Sequence, residues 1–335
     1  MNGHCEPRLH HYDPEGKFDE EPFVGKEFSS KMFADAAVDF LNSTSDNKQP
    51  FMAYVAFTSP HDPRISLPDY GKKYLDGDVS VPDNFLPEHP FDNGELQIRD
   101  EMVLPAPRTP EQLKHELALY YGMVSEVDVQ IGRVLEALDE SGNRENTIIV
   151  FASDNGLAMG QNGLIGKQSL YDHSVGVPML IIDPRKPQQG RKTDALCYLY
   201  DLYPTLCELV GVEIPSSVTG RSLKPVLDDS TAQHREDLFF IYSNQQRALL
   251  KENYKYIIYN VEGKITEQLF DLKNDPGELV NLAETEKEKA QAYKALLNQR
   301  MQENHDFCNL DNPLWWKDAH KLTWEECQTL YLFDK

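Results

Sequence analysis

Apolar positions along the chain fall into two kinds of period. After Ser29-Ser30, which offers an N-cap, Met32, Phe33, Ala36, Ala37, Phe40 and Leu41 recur at three-and-four spacing and predict an amphipathic helix. A second helical stripe, through Leu117, Tyr120, Tyr121, Val124, Val127, Ile131, Val134, Leu135 and Leu138, predicts a long helix over about 110–138. Between and after these helices lie short, nearly continuous apolar runs at 51–57, 147–152 and 179–182. Such runs predict strands buried on both faces. With a short helix over 199–210, strand, loop and helix keep alternating. That order predicts an α/β fold with a central, mostly parallel sheet covered by helices, whose ligands sit at the carboxyl ends of the strands.

The texture changes near residue 231. Leu238–Tyr242, Arg247–Leu250, Tyr254–Tyr259 and Glu267–Asp271 are short runs separated by turn residues, and predict a small antiparallel sheet. A charged helix over 284–304 and a tail with Trp315-Trp316 complete the chain. The expected division is therefore residues 1–230, the α/β part, and 231–335, the small antiparallel subdomain and tail. Residues 62–109 are dense in Pro, Asp and Gly and read as a long loop over a site or as disorder.

Composition narrows the partners. The chain has 335 residues, with 33 basic and 55 acidic side chains and a formal charge of −22. A polyphosphate or an anionic lipid surface would meet a repulsive field, so neither nucleic acid nor membrane is expected as a partner. The 40% hydrophobic content is enough for a packed core, and no run approaches the length of a membrane span. No signal peptide can be read at the start. The cysteines, Cys5, Cys197, Cys207, Cys308 and Cys327, have no paired spacing that marks a disulfide scaffold or a zinc site.

Three places carry chemistry. Asp154-Asn155 follows the 147–152 strand and pairs a carboxylate with an amide carbonyl, hard oxygen donors suited to calcium or magnesium; Asp-Asn-Gly is equally a turn sequence. His61 stands just past the 51–57 strand, where it is either an acid or a surface histidine. Lys167 follows Gly160, Gly163 and Gly166, which would let backbone and ammonium approach an anion; Gln168 excludes a P-loop.

Together these segments resemble, in order along nearly the whole chain, the type I sulfatases of the alkaline-phosphatase superfamily, in the branch with choline-sulfatase-like and polysaccharide sulfatases. The resemblance rests on Ala56-Phe-Thr-Ser-Pro-His-Asp-Pro63, Thr147-Ile-Ile-Val-Phe-Ala-Ser-Asp-Asn-Gly156 and Gly166-Lys-Gln-Ser-Leu-Tyr-Asp-His-Ser-Val-Gly-Val-Pro178. Asp201-Leu-Tyr-Pro-Thr205, Gly220-Arg-Ser-Leu223 and Leu269-Phe-Asp-Leu-Lys-Asn-Asp-Pro-Gly-Glu278 extend it. It implies a calcium-dependent hydrolase of sulfate esters, small-molecule or saccharide. In that family a formylglycine made from Cys or Ser in Cys/Ser-x-Pro-x-Arg attacks sulfur. Asp154 and Asn155 match calcium ligands, Lys167 the sulfate clamp and His61 the acid at the leaving oxygen. Arg64, Arg99 and His173 are candidates for contacts with the organic part of the ester, or loop anchors.

The departures are as informative. No strand ending in Asp-Asp precedes residue 51, and the formylglycine motif is absent, since Cys5-Glu-Pro-Arg-Leu9 has Leu where Arg is required. Gly176 stands where many relatives carry a basic residue. The expectation is an N-terminally truncated sulfatase, inactive alone, with an upstream fragment carrying the missing segment as an expected partner. Alternatives are a phosphodiesterase or phosphonate hydrolase of the same superfamily, a non-catalytic binding module, or a gene fragment.

Overall fold

The computed structural model describes residues 4–10, 17, 22–45, 49–186, 190–308 and 310; Trp315-Trp316 and Cys327 lie outside them. It forms two compact units, each assembled from separate stretches of chain. The first is Met1–Pro82, Pro107–Val150 and Ile181–Pro187; the second is Asp83–Ala106, Phe151–Leu180 and Gln188–Lys335.

In the first unit, strands β1 (Arg8–Leu9) and β2 (Phe23–Val24) pair antiparallel, and three helices follow: α1 (Ser29–Ser43), α2 (Pro68–Leu75) and α3 (Pro110–Glu140). Helix α3 begins with Pro110 at its first turn and a reciprocal capping box between Thr109 and Gln112. Both α1 and α2 pack on α3. Leu41 of α1 shares a buried cluster with Ala137 and Leu138 of α3; Leu41 and Leu138 lie on the predicted stripes, Ala137 does not, and Tyr121 and Val124 of the predicted α3 stripe are exposed. Where α2 crosses α3, Gly71 and Gly122 face each other so closely that a Cβ on Gly122 would lie 2.8 Å from the Gly71 Cα. Small residues there set the distance between the helices.

Two expectations are corrected in this unit. Ser29 and Ser30 do not cap α1: Phe28 holds the N-cap position without a side-chain bond. The Ser29 hydroxyl is drawn instead into a hydrogen bond with Thr58 Oγ1 at 3.0 Å. Residues 51–57 have no regular secondary structure and belong to no sheet among the described residues. Met52 is 78% exposed and Tyr54 86%, whereas Phe51, Val55 and Phe57 are half-buried and Phe51 packs against the Leu41, Ala137 and Leu138 cluster, so the run that reads as buried on both faces is only partly covered, and on one side. The loop expected over 62–109 also contains α2, whose Pro68 start and Lys72-Lys73 end are boundary signals on a segment too short to show a period.

Strands β3 (Ile149–Ala152) and β4 (Met179–Ile182) pair with each other, and the division between the units runs across both. The second unit adds α4 (Asp172–Val175), α5 (Leu202–Val210) after a single 3₁₀ turn, and α6 (Lys224–Asp228). It then forms an antiparallel meander of β5 (Asp237–Tyr242), β6 (Gln246–Lys251), β7 (Tyr254–Val261) and β8 (Lys264–Asp271), closed by α7 (Lys287–Glu303). Period-two alternation gives this sheet two apolar faces. Leu249, Tyr256, Ile258 and Leu269 pack with Ala290, Leu297 and Met301 of α7. Ala248, Ile257, Tyr259 and Phe270 pack with Ala158, Leu164, Leu170 and Tyr171 on the other side. The second face anchors the segment that carries the candidate chemistry. Among the described residues no helix is long and apolar enough to cross a membrane.

Candidate active site

In the second unit, β3 ends just before Asp154 and Asn155. Asp154 Oδ1 accepts the Asn155 backbone N–H at 2.8 Å, and Asn155 Nδ2 donates to the Gly156 carbonyl at 3.3 Å. The turn reading and the ligand reading are thus compatible: the chain bends at Asp154 and leaves its oxygen donors at a strand end. Gly156 is required by crowding, because a Cβ there would lie 2.0 Å from the His173 carbonyl oxygen. Its N–H donates to the Ser174 carbonyl at 2.8 Å, and Ala158 N–H donates to the Gly166 carbonyl at 2.8 Å. These bonds fasten the Asp154-Asn155 loop to the loop that carries Lys167.

Lys167 is presented by a short glycine-bounded segment held from below by two acids of the 83–106 stretch. Glu101, itself buried, accepts the backbone N–H groups of Ile165 and Gly166 at 3.1 and 2.9 Å. Asp100 Oδ2 accepts Gln168 Nε2 at 2.7 Å and lies 3.7 Å from Lys167 Nζ. Burial by itself would raise the Asp100 carboxyl, but hydrogen bonds from Gln168 and Arg99 and the nearby Lys167 charge hold it below the usual carboxylate range.

Behind this segment lies a buried ion network. Lys255 Nζ, fully buried, meets Glu278 Oε1 at 2.8 Å and Asp172 Oδ1 at 3.1 Å. Glu278 Oε2 accepts the Asp172 backbone N–H at 2.7 Å, fixing the start of α4. His173 stacks on Tyr171, with ring centroids 5.5 Å apart. Its Nδ1 pairs with Ser174 Oγ at 2.9 Å, while Nε2 is buried with no hydrogen-bond partner among the described residues. Burial, with Lys255 and His89 adding repulsion, pushes the His173 imidazole down to about 3, so it is neutral at physiological pH. His173 is therefore a neutral imidazole packed within its own loop, not an exposed cation.

His61 and Arg64 belong to the first unit. The His61 side chain is 44% exposed, and its Nδ1 donates to the Asp62 carbonyl at 2.8 Å, with Asp62 Oδ1 at 3.2 Å. The His61 carbonyl accepts Nε2 of buried His4 at 2.8 Å, and its N–H donates to the Thr58 carbonyl at 3.0 Å. The loop that shows the imidazole is thus fixed through its backbone. Arg64 is different: its side chain is buried and its Nη1 donates to Glu116 Oε2 at 2.8 Å. It ties the loop to α3.

The donor chemistry of Asp154 and Asn155 suits calcium, but a calcium site takes six to eight oxygens. Among the described residues no group of three or more His, Cys, Asp or Glu side chains could hold a metal ion. Asp154 and Asn155 alone supply fewer oxygens than a calcium site takes. Sulfatases are generally metal-dependent as a family.

Comparison with known proteins gives the class first. Solved sulfatase structures share this chain's fold, the alkaline-phosphatase-like α/β fold with an antiparallel sheet near the C-terminus. Phosphonate monoester hydrolase of Agrobacterium radiobacter superposes with a TM-score of 0.69 at 25% identity, covering 83% of this chain and 62% of that one. The Sulfatase family model matches residues 5–212, and a model described as N-sulphoglucosamine sulphohydrolase, C-terminal, matches 160–306. This chain belongs to the sulfatase family. An arylsulfatase of Clostridium perfringens is 32% identical over 76% of this chain and 53% of its own length. An N-acetylglucosamine-6-O-sulfatase of Bacteroides thetaiotaomicron is 27% identical over 81% of this chain and 61% of its own. The chain spans about half the length of the first of these curated relatives.

Asp100, Glu101, Lys255 and Glu278 are the groups that sequence reading missed. Asp100 and Glu101 sit within a stretch without period, and Lys255 stands in a strand pattern where a cation reads as an outward-facing residue. Only the requirement that a buried lysine be paired could have flagged it.

Proposed function

We propose that this chain supplies sulfate-holding and leaving-group residues of a sulfuric ester hydrolase that acts on a sulfated saccharide or smaller sulfate ester. The observation that carries this reading is the fastening of the Asp154-Asn155 loop to the loop that presents Lys167. The family membership and the sulfatase names of the relatives support it. The Lys167 ammonium offsets the charge that gathers on sulfate oxygens as the ester bond breaks. His61, in the first unit with Nδ1 directed at Asp62, matches the family's acid at the leaving oxygen, a role in which its Nε2 would give up a proton. Asp154 and Asn155 are the two hard donors this chain contributes toward calcium. Arg64, paired with Glu116, ties its loop to α3, and His173 keeps a buried, unpartnered Nε2 among the described residues; both remain candidates for contact with the organic part of the ester.

The 335 residues contain no Cys/Ser-x-Pro-x-Arg sequence, and so no formylglycine nucleophile. The purified chain, given nitrophenyl sulfate and calcium, is expected to release no product above buffer. Calcium-dependent turnover would overturn that expectation. Retention of inorganic sulfate binding by Lys167→Ala would overturn the role of Lys167. A second reading, hydrolysis of a phosphate or phosphonate ester, is favoured by the likeness to the Agrobacterium enzyme. Tighter binding of inorganic phosphate than of sulfate at Lys167 would favour it.

A further inference from the structure

Asp100 belongs to neither the metal-donor pair nor the groups assigned to the sulfate ester, yet it sits against the one lysine given to the anion. Its Oδ2 faces Lys167 Nζ at 3.7 Å and takes the Gln168 amide at 2.7 Å, while Oδ1 accepts Nε and Nη2 of Arg99 at 3.0 and 2.6 Å. The carboxylate is largely buried, with 10% of its side chain exposed, whereas Lys167 keeps 21% and Arg99 65%. Arg99 thus reaches the carboxylate from the solvent side and Lys167 from the loop side. Gly166, next to Lys167, leaves no room for a side chain: a Cβ there would lie 2.9 Å from Glu101 Oε1 and 3.2 Å from the Asp100 Cβ.

We propose that Asp100 is a positioning residue that acts as an internal counter-ion: it holds Lys167 in place before an anion arrives and must yield the ammonium when one binds. The proposal rests on the reading that Lys167 holds sulfate. Binding is then an exchange, in which sulfate oxygens replace one carboxylate oxygen at the ammonium while Gln168 and Arg99 keep Asp100 from following. Two negative groups cannot share one ammonium a few ångströms apart without repulsion. The carboxylate therefore lowers affinity for any anion that offers too little charge to displace it, and the loop is preset for a dianionic group over a halide. Arg99, by neutralising the far side of Asp100, reduces the repulsion met by the incoming anion.

The test uses the full 335-residue chain and inorganic sulfate as the probe, with binding followed by calorimetry and by the amide signals of Gly166 and Lys167. Asp100→Asn keeps the shape and, with its amide oxygen toward Gln168, the acceptor there, but removes the charge and gives up the acceptor for Arg99. It is expected to bind sulfate about fivefold more tightly than wild type, and to bind chloride measurably where wild type does not. Sulfate binding by D100N that is equal to or weaker than wild type, or undetectable in both, overturns the proposal. Lys167→Ala separates the two readings. Loss of sulfate binding in K167A with no gain in D100N defeats the counter-ion role alone, whereas unchanged binding in K167A defeats the reading of Lys167 itself. Should D100N fail to give a native circular dichroism spectrum, Asp100→Ser, which also removes the charge, is held to the same comparison.

Discussion

Single residues decide how the candidate site is held, and Lys255 shows how. A buried ion pair contributes little net stability over an apolar pair, but removing one partner leaves the other charge without compensation. Glu278 is 3% exposed and its carboxyl is already pushed up by burial, against the pull of Lys255. Lys255→Met is therefore expected to cost about 3–5 kcal/mol in urea unfolding. The double variant Lys255→Met/Glu278→Leu is expected to recover a large part of that loss. A double variant no more stable than the single one would show that the pair does more than neutralise itself. This residue scale is where the sequence was hardest to read. His61, Lys167, Asp154 and Asn155 stand in recognisable local surroundings, whereas the acids that position Lys167 arrive from sixty or more residues away.

At the scale of elements, the helices and the C-terminal meander were legible because their periods are long or regular. Helix α3 and strands β5 to β8 fall close to where apolar spacing puts them. Residues 51–57 were misread for a physical reason: an apolar run signals that a segment is suited to burial, and the covering has to come from elsewhere. The α1–α3 contact conceals a second feature that spacing does not show. Glu126 of α3 is 1% exposed, and among the described residues neither carboxylate oxygen meets a donor in hydrogen-bonding geometry. Burial raises its carboxyl above the ordinary glutamate value, with Ser30 and Gln130 offsetting only part of the shift. The unfolded chain then ionises this group at lower pH than the folded one. Stability is accordingly undiminished below the ordinary glutamate value, falls as pH climbs from there to the raised value, and stays reduced above it. Glu126→Gln is expected to unfold at a higher temperature than wild type at neutral pH, with the difference vanishing toward pH 4. A variant no more stable at neutral pH would mean that the carboxylate finds compensation on ionising.

The whole molecule combines strong negative charge with uncovered apolar chain. Met52, Tyr54, Phe151 and Leu180 are 78%, 86%, 40% and 59% exposed on a chain of net charge −22. Charge repulsion opposes association and is screened by salt, whereas apolar contact is not. Sedimentation velocity is expected to show self-association that grows as salt is raised, and Met52→Lys/Tyr54→Lys is expected to reduce it. A monomer at all salt concentrations would mean that these side chains find cover within the chain. The arrangement of the two units bears also on how the protein is made. Because the first unit draws its last segment, Ile181–Pro187, from beyond two stretches of the second, it remains unfinished until the ribosome has passed residue 187. Its helices emerge early, but vectorial synthesis offers them no completed partner, and no single cut of the gene would separate the units as autonomous pieces.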